Sequence, residues 1–270
     1  MFQLIAAAAL AAVQPSDSNA DYRIPIALAE SRGLRLYQGY RIATQAVAKP
    51  DAILKDRAGE AKAYVITVSA DAQSLMFVGR SDKGAPYAIW RGRYSNGDQL
   101  DGTLVARSSA AAKLSDDEQA AFWGERAALD HIFANQQKLG PMSCAGDIAP
   151  NIIVLPPTTQ DPSFAVYIMT PQTDKNVVSL GGHYRIALDA KSHVQSLKKL
   201  TEECHDLDLF EDGGRLKADY VGHGSDPYPN EAHVFASLAA DAAIMVETGK
   251  SRWWKVEKGK IERDDTPPGH

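Results

Sequence analysis

Short apolar runs and alternating apolar and polar positions make up most of this chain, and helical spacing stands out in two places. From Leu34 to Val47 the residues Leu36, Tyr40, Ala43 and Val47 recur at the spacing of a helix face, Tyr37 adds to it, and Pro50 follows as a stop. Residues 21–32 ahead of this stretch carry no clear period. The second helix opens at Ser115-Asp116-Asp117-Glu118, a capping box in which the Ser side chain closes one free amide and Glu118 reaches back to another. It runs to about Gln137 with Phe122, Leu129, Ile132 and Phe133 on one side, and Gly140-Pro141 ends it.

The other segments read as strands. Tyr64 to Val68 and Leu75 to Val78 flank a polar turn and predict a hairpin, and Tyr87 to Tyr94 and Leu104 to Arg107 predict another around Ser95-Asn96-Gly97-Asp98. Further on, Asn151 to Leu155, Phe164 to Met169, His183 to Leu188 and Val194 to Leu200 are strand candidates. Ala232 to Leu238, Ala243 to Glu247 and Arg252 to Val256 follow, the last turning at Lys258-Gly259 into Lys260-Ile261. Strands and helices do not alternate as βαβ units, so a doubly wound parallel sheet is not expected. The expectation is an α+β fold, a mainly antiparallel β-sheet of hairpins with two principal helices. Its parts are an N-terminal helix with hairpins (21–110), a connecting helix (111–140), a β-rich C-terminal region (141–262) and a disordered tail (263–270). One core or two for 21–262 stays open.

The first twenty residues change the picture of location. Leu4 to Val13 is an apolar run, Pro15 breaks it, and Ser18-Asn19-Ala20 offers small residues for cleavage, the layout of a signal peptide without its usual positive start. The run is too short to span a bilayer. Removing it leaves 250 residues at net charge −4 against −5 for the whole chain, with no later membrane span and no basic footprint for nucleic acid. The expectation is a periplasmic or secreted soluble protein starting at Asp21. In such a compartment the two cysteines, Cys144 and Cys204, read as one disulfide. Closing a loop of about 60 residues contributes about 4 kcal/mol in the chain-entropy model.

Candidate chemistry is sparse. In Gly181-Gly182-His183-Tyr184-Arg185 the glycines allow a turn or a close approach to a ligand. His183 and Arg185 then share one strand face, opposite Tyr184, and such a pair suits a carboxylate or phosphate. The same residues fit an ordinary glycine-led strand start. Farther along, His223, Asp226, Glu231 and His233 are possible ligands or catalytic groups, with Glu231 and His233 on one face if that segment is a strand. No specific metal pattern or nucleophile elbow is present, and no cofactor or catalytic residue is implied. Trp253-Trp254 should place one ring in the core and the other outward.

Several pieces recur together: Leu155-Pro156-Pro157, Thr170-Pro171-Gln172-Thr173, Gly181 to Arg185, Cys204, Pro229 to Phe235, and Trp254-Lys255-Val256 before Gly259 and Ile261. On these, residues 144–261 resemble a family of exported proteobacterial proteins to which no activity is assigned. The resemblance implies export and supports the disulfide, and carries over no catalytic residue. The functional expectation is an envelope protein that binds a small molecule or an envelope protein partner without catalysis, through His183, Arg185, Glu231 and His233. The alternatives are a hydrolase, metal-dependent or using Glu231 and His233 as acid and base, and a structural or inhibitory protein.

Overall fold

A computed structural model describes residues 22–264 apart from 48, 96–98, 141–142, 212–213, 225 and 250–251. The expected signal peptide, the Asn96-Gly97-Asp98 turn and residues 265–270 of the tail lie outside the described residues. Among the described residues there are four α-helices: α1 (Arg23–Ile42, with a π-turn over Ala43–Val47), α2 (Pro50–Leu54), α3 (Asp116–Leu139) and α4 (Glu231–Ala240). The first strands are β1 (Ala63–Val68), β2 (Gln73–Arg80), β3 (Pro86–Ser95) and β4 (Gln99–Leu104). After α3 come β5 (Asn151–Leu155), β6 (Phe164–Met169), β7 (Val177–Leu180), β8 (Tyr184–Leu188) and β9 (Val194–Lys199). Then follow β10 (His205–Asp208), β11 (Phe210–Glu211), β12 (Gly214–Arg215) and β13 (Ala218–His223). Beyond α4 lie β14 (Ala243–Thr248), β15 (Arg252–Glu257) and β16 (Lys260–Asp264).

The main sheet has eight strands in the order β4-β3-β2-β1-β5-β6-β8-β9, antiparallel throughout except where β1 meets β5. The N-terminal hairpins and the C-terminal strands therefore share one sheet. A second sheet, β13-β14-β15-β16, begins with a parallel pair whose crossover is α4. This βαβ unit is absent from the sequence expectation, but the α+β character and the mainly antiparallel main sheet are as expected.

Alternation along the strands sends side chains to two cores. Val65, Met76, Val78, Val154, Val166, Ile168 and Ile186 meet Phe122, Ala128 and Ile132 of α3 on one face. Ile66, Val68, Leu75, Phe77, Ile153, Leu155 and Tyr167 meet Leu36 and Tyr40 of α1 on the other. That second core continues through Val234 and Phe235 of α4 to Val246, Trp254 and Val256 of the small sheet. The layers thus run α3, main sheet, α1 with α4, small sheet. Trp254 points into the core and Trp253 is partly exposed, the expected division.

Helix α1 starts eleven residues before the periodic stretch at Leu34. Pro25 sits in its first turn, where a missing N–H is harmless. Arg32 and Arg35, which blur the apolar stripe in the sequence, tie the helix to strand ends. Arg35 is buried and donates to the Val68 (2.9 and 2.6 Å) and Pro156 (2.8 Å) carbonyls. Arg32 grips Asp161 through two bonds of 2.7 and 2.8 Å. At Gly33 the helix meets α4 so closely that a Cβ would stand 2.4 Å from Val234 Cβ and 2.9 Å from the Glu231 carbonyl oxygen.

Other expectations shift. β4 lies at Gln99–Leu104, ahead of the expected Leu104 to Arg107, and Phe133 on α3 is exposed. Arg263 and Asp264, expected in the tail, belong to β16 and pair with Trp254 and Trp253. The Ser115–Glu118 capping box forms as expected, and α3 runs to Leu139. Cys144 and Cys204 form the expected disulfide, with Cα atoms 5.7 Å apart.

One buried carboxyl in α3 has an unbalanced environment. Glu125 is 1% exposed; its Oε1 accepts from Arg126 (2.6 Å) and its Oε2 has no partner. Burial pushes its pKa up to about 7, with Arg126 opposing. A carboxyl raised in the folded state contributes stability at low pH that is lost as pH rises from about 4.5 through 7. In urea titrations, the stability difference between native protein and Glu125→Gln is expected to change by on the order of 2–3 kcal/mol between pH 4.5 and 8, in favour of the variant at high pH. Parallel pH profiles for the two proteins would contradict this.

Candidate functional site

The pentad Gly181 to Arg185 is a structural device. A Cβ on Gly181 would lie 2.8 Å from Cys144 Sγ and 2.7 Å from Cys204 Cα. Gly182 has φ +62°, where glycine is favoured, and a Cβ there would lie 2.7 Å from the Cys144 amide nitrogen. The close approach that the glycines permit is to the disulfide. His183 and Arg185 do share one face, toward α4, with Tyr184 in the opposite core. His183 is fully buried; Nδ1 accepts the Thr170 N–H (3.1 Å) and Nε2 donates to the Ser179 carbonyl (3.1 Å). Burial lowers its pKa to about 4, and neither nitrogen is left for a ligand.

The segment expected as a strand from Ala232 is helix α4, and this separates the two residues placed together by the sequence reading. Residues two apart on a helix point about 200° away from each other, from its 3.6-residue turn. Glu231 turns to the main sheet, where its Oε1 accepts from Arg185 (2.8 Å) and from the Tyr167 hydroxyl (3.0 Å). His233 turns to the other side. Eight of the ten helix residues are buried, so no polar face marks the helical period. The N-cap signal was present, since Asn230 accepts the Ala232 N–H (2.9 Å).

His233 lines a cavity of about 370 Å³ that the sequence did not reveal. It opens where β13 ends and α4 begins, beside the disulfide, and its wall includes Thr201, Glu202, Glu203, Cys204 and His223. His223 and His233 are 2% and 1% exposed, with ring centroids 4.7 Å apart. His223 Nε2 donates to Asp226 (3.1 Å), whose same oxygen takes Lys198 Nζ (2.6 Å). Asn230 Nδ2 stands 3.3 Å from Nε2 and gives its strong bond to the Leu200 carbonyl (2.6 Å). His223 Nδ1 is thereby left as an acceptor, with no bond among the described residues.

On His233, Nδ1 accepts the Asn230 backbone N–H (3.2 Å). Asn230 Oδ1 is equally near but is taken by Ala232. The ring proton belongs on Nε2, which makes no bond among the described residues. Burial lowers the pKa of both rings, that of His233 to about 3 with help from His223, so both are neutral near pH 7. Thr201 Oγ1, also buried, has no partner. The residues that line the cavity therefore include an acceptor nitrogen, a donor nitrogen and a hydroxyl without a bond among the described residues.

Of the four residues expected to form the site, His233 reaches this cavity, while Arg185 and Glu231 bond each other and His183 is satisfied internally. His223 and Thr201 belong to it and were not singled out as its centre. Among the described residues, no three His, Cys, Asp or Glu side chains are grouped so as to hold a metal ion.

Three buried neutral histidines make the fold acid-sensitive. Their folded pKa values lie below the ordinary 6.5, so the stability they contribute is complete above about pH 6.5 and is lost as pH falls toward 4. Glu125 acts oppositely in the same window, so the Glu125→Gln background isolates the effect. In that background, urea titrations should show a loss on the order of 3 kcal/mol between pH 7 and 5. A flat profile would contradict it. No family model matches the chain, and neither a curated protein nor a solved structure does so.

Proposed function

We propose that this protein is exported to an oxidising compartment of the cell envelope and binds a small polar molecule in the His223–His233 cavity, without catalysis. One observation carries the reading: on a single cavity the buried Thr201 hydroxyl lacks a partner, and His223 Nδ1 and His233 Nε2, on two buried rings, make no bond among the described residues. Buried polar groups are almost always hydrogen-bonded, because an unmade bond costs about 1–3 kcal/mol. A ligand that supplies the missing bonds accounts for all three. The volume is at the small end of small-molecule sites, about 300–1,000 Å³. Its place after a parallel strand and before a helix N-terminus is a common ligand position in sheets of this connection.

The Cys144–Cys204 disulfide and the apolar N-terminal segment support export, and the family resemblance points the same way. The hydrolytic alternative through Glu231 and His233 has less support, since the helix turns these side chains to different partners.

Two measurements test the reading. When the full chain is expressed in a Gram-negative host, mass spectrometry should find a periplasmic protein beginning at Asp21; an intact cytoplasmic chain beginning at Met1 would refute export. In thermal-shift screening of polar metabolites, at least one compound should raise the native Tm by several degrees, and Thr201→Val should reduce the shift. A screen without a hit, or hits indifferent to Thr201→Val and His233→Gln, would refute the cavity as the site.

A further inference from the structure

We propose that the cavity takes a neutral, polyhydroxylated molecule of monosaccharide size, whose hydroxyls donate to His223 Nδ1 and accept from His233 Nε2–H. This rests on the cavity being a ligand site. Charge around the rings selects the ligand class. Lys198 and Asp226 are the charged side chains nearest the two rings in the bonding chain, and they neutralise each other at 2.6 Å. Asp226 also holds the proton side of His223, so neither charge remains for a ligand. Both imidazoles are neutral at physiological pH.

What the two rings and Thr201 leave unbonded among the described residues is an acceptor, a donor and a hydroxyl, with His205 and Tyr220 also on the wall, and groups that both give and accept a hydrogen bond match this set. An anion would enter past Glu202 and Glu203, and the lysine beside them, Lys199, already donates to the Glu202 carbonyl (2.8 Å). A desolvated charge without a counter-charge is costly, whereas a hydroxyl satisfies both rings without one. Several hydroxyls are favoured over one, because Glu202 and Glu203, which also line the cavity, bring further acceptors.

The test is a titration of the disulfide-bonded full chain carrying ¹⁵N-labelled histidine, followed by the ring-nitrogen resonances of His223 and His233. The probes are glucose, galactose, mannose, N-acetylglucosamine and glycerol, with acetate, phosphate and choline as charged comparisons. At least one neutral probe is expected to shift both rings saturably, and Thr201→Val should weaken it about five- to tenfold, the loss of one hydrogen bond. Saturable shifts from acetate, phosphate or choline alone would overturn the hydroxyl assignment and leave the cavity a ligand site. If no probe moves the rings although the metabolite screen yields a Thr201-dependent ligand, the hydroxyl assignment again falls alone. If neither experiment finds a ligand, both readings fall together.

Discussion

The close crossing of α1 and α4 at Gly33 is the constraint on which the rest of this structure depends. A side chain there would overlap Val234 and crowd the Glu231 carbonyl, so only glycine lets the two helices form one layer between the sheets. That contact places the first turn of α4. From it, Glu231 reaches Arg185 and Tyr167 on the main sheet, while His233 reaches Asn230 and the cavity at the end of β13. On its other side α1 is held by Arg35 on the Val68 and Pro156 carbonyls and by the Arg32–Asp161 pair. Anchored at both flanks, the helix layer sets the spacing of the two sheets.

Three buried histidines show why hydrogen-bond accounting, rather than residue type, separates structure from function. His183, His223 and His233 are all nearly inaccessible, and burial depresses the pKa of each. His183 has a partner on each nitrogen and serves to join β8 to the strand before it. His223 and His233 each have one nitrogen bonded and one without a bond among the described residues, and both residues line a shared cavity. The bonded nitrogen fixes the tautomer, and the tautomer decides that one ring accepts and the other donates. The same logic applies to Arg185 and Glu231. Breaking one partner of such a buried pair strands the other's charge, which makes the pair a structural commitment rather than a spare binding group.

The sequence was most legible where local signals were self-contained. The Ser115–Glu118 capping box, the hairpin of β1 and β2, and the strands β5, β6, β14 and β15 follow from turn chemistry and short apolar runs. α4 was missed because Ala232, Val234, Phe235 and Ala236 are all buried, and a helix buried on every side has no amphipathic period to show. β7, β10 and β13 were missed for the opposite reason. They are short or rich in polar residues, and their pairing comes from distant partners: Leu180 with His205, Val221 with Val246.

By itself the sequence determined the α+β class, the long helices, the cysteine pair and the one-sided placement of His183 and Arg185, because each depends on period, capping or count within a short span. Only the tertiary structure decided which polar groups are satisfied. Arg185 finds Glu231 across 46 residues, Asn230 finds the Leu200 carbonyl across 30, and Lys198 finds Asp226 across 28. Whether a buried nitrogen is a structural bond or an open site depends on what the fold brings within about 3 Å of it, and hydrogen bonds are too short-ranged and directional for the order of residues along the chain to specify that.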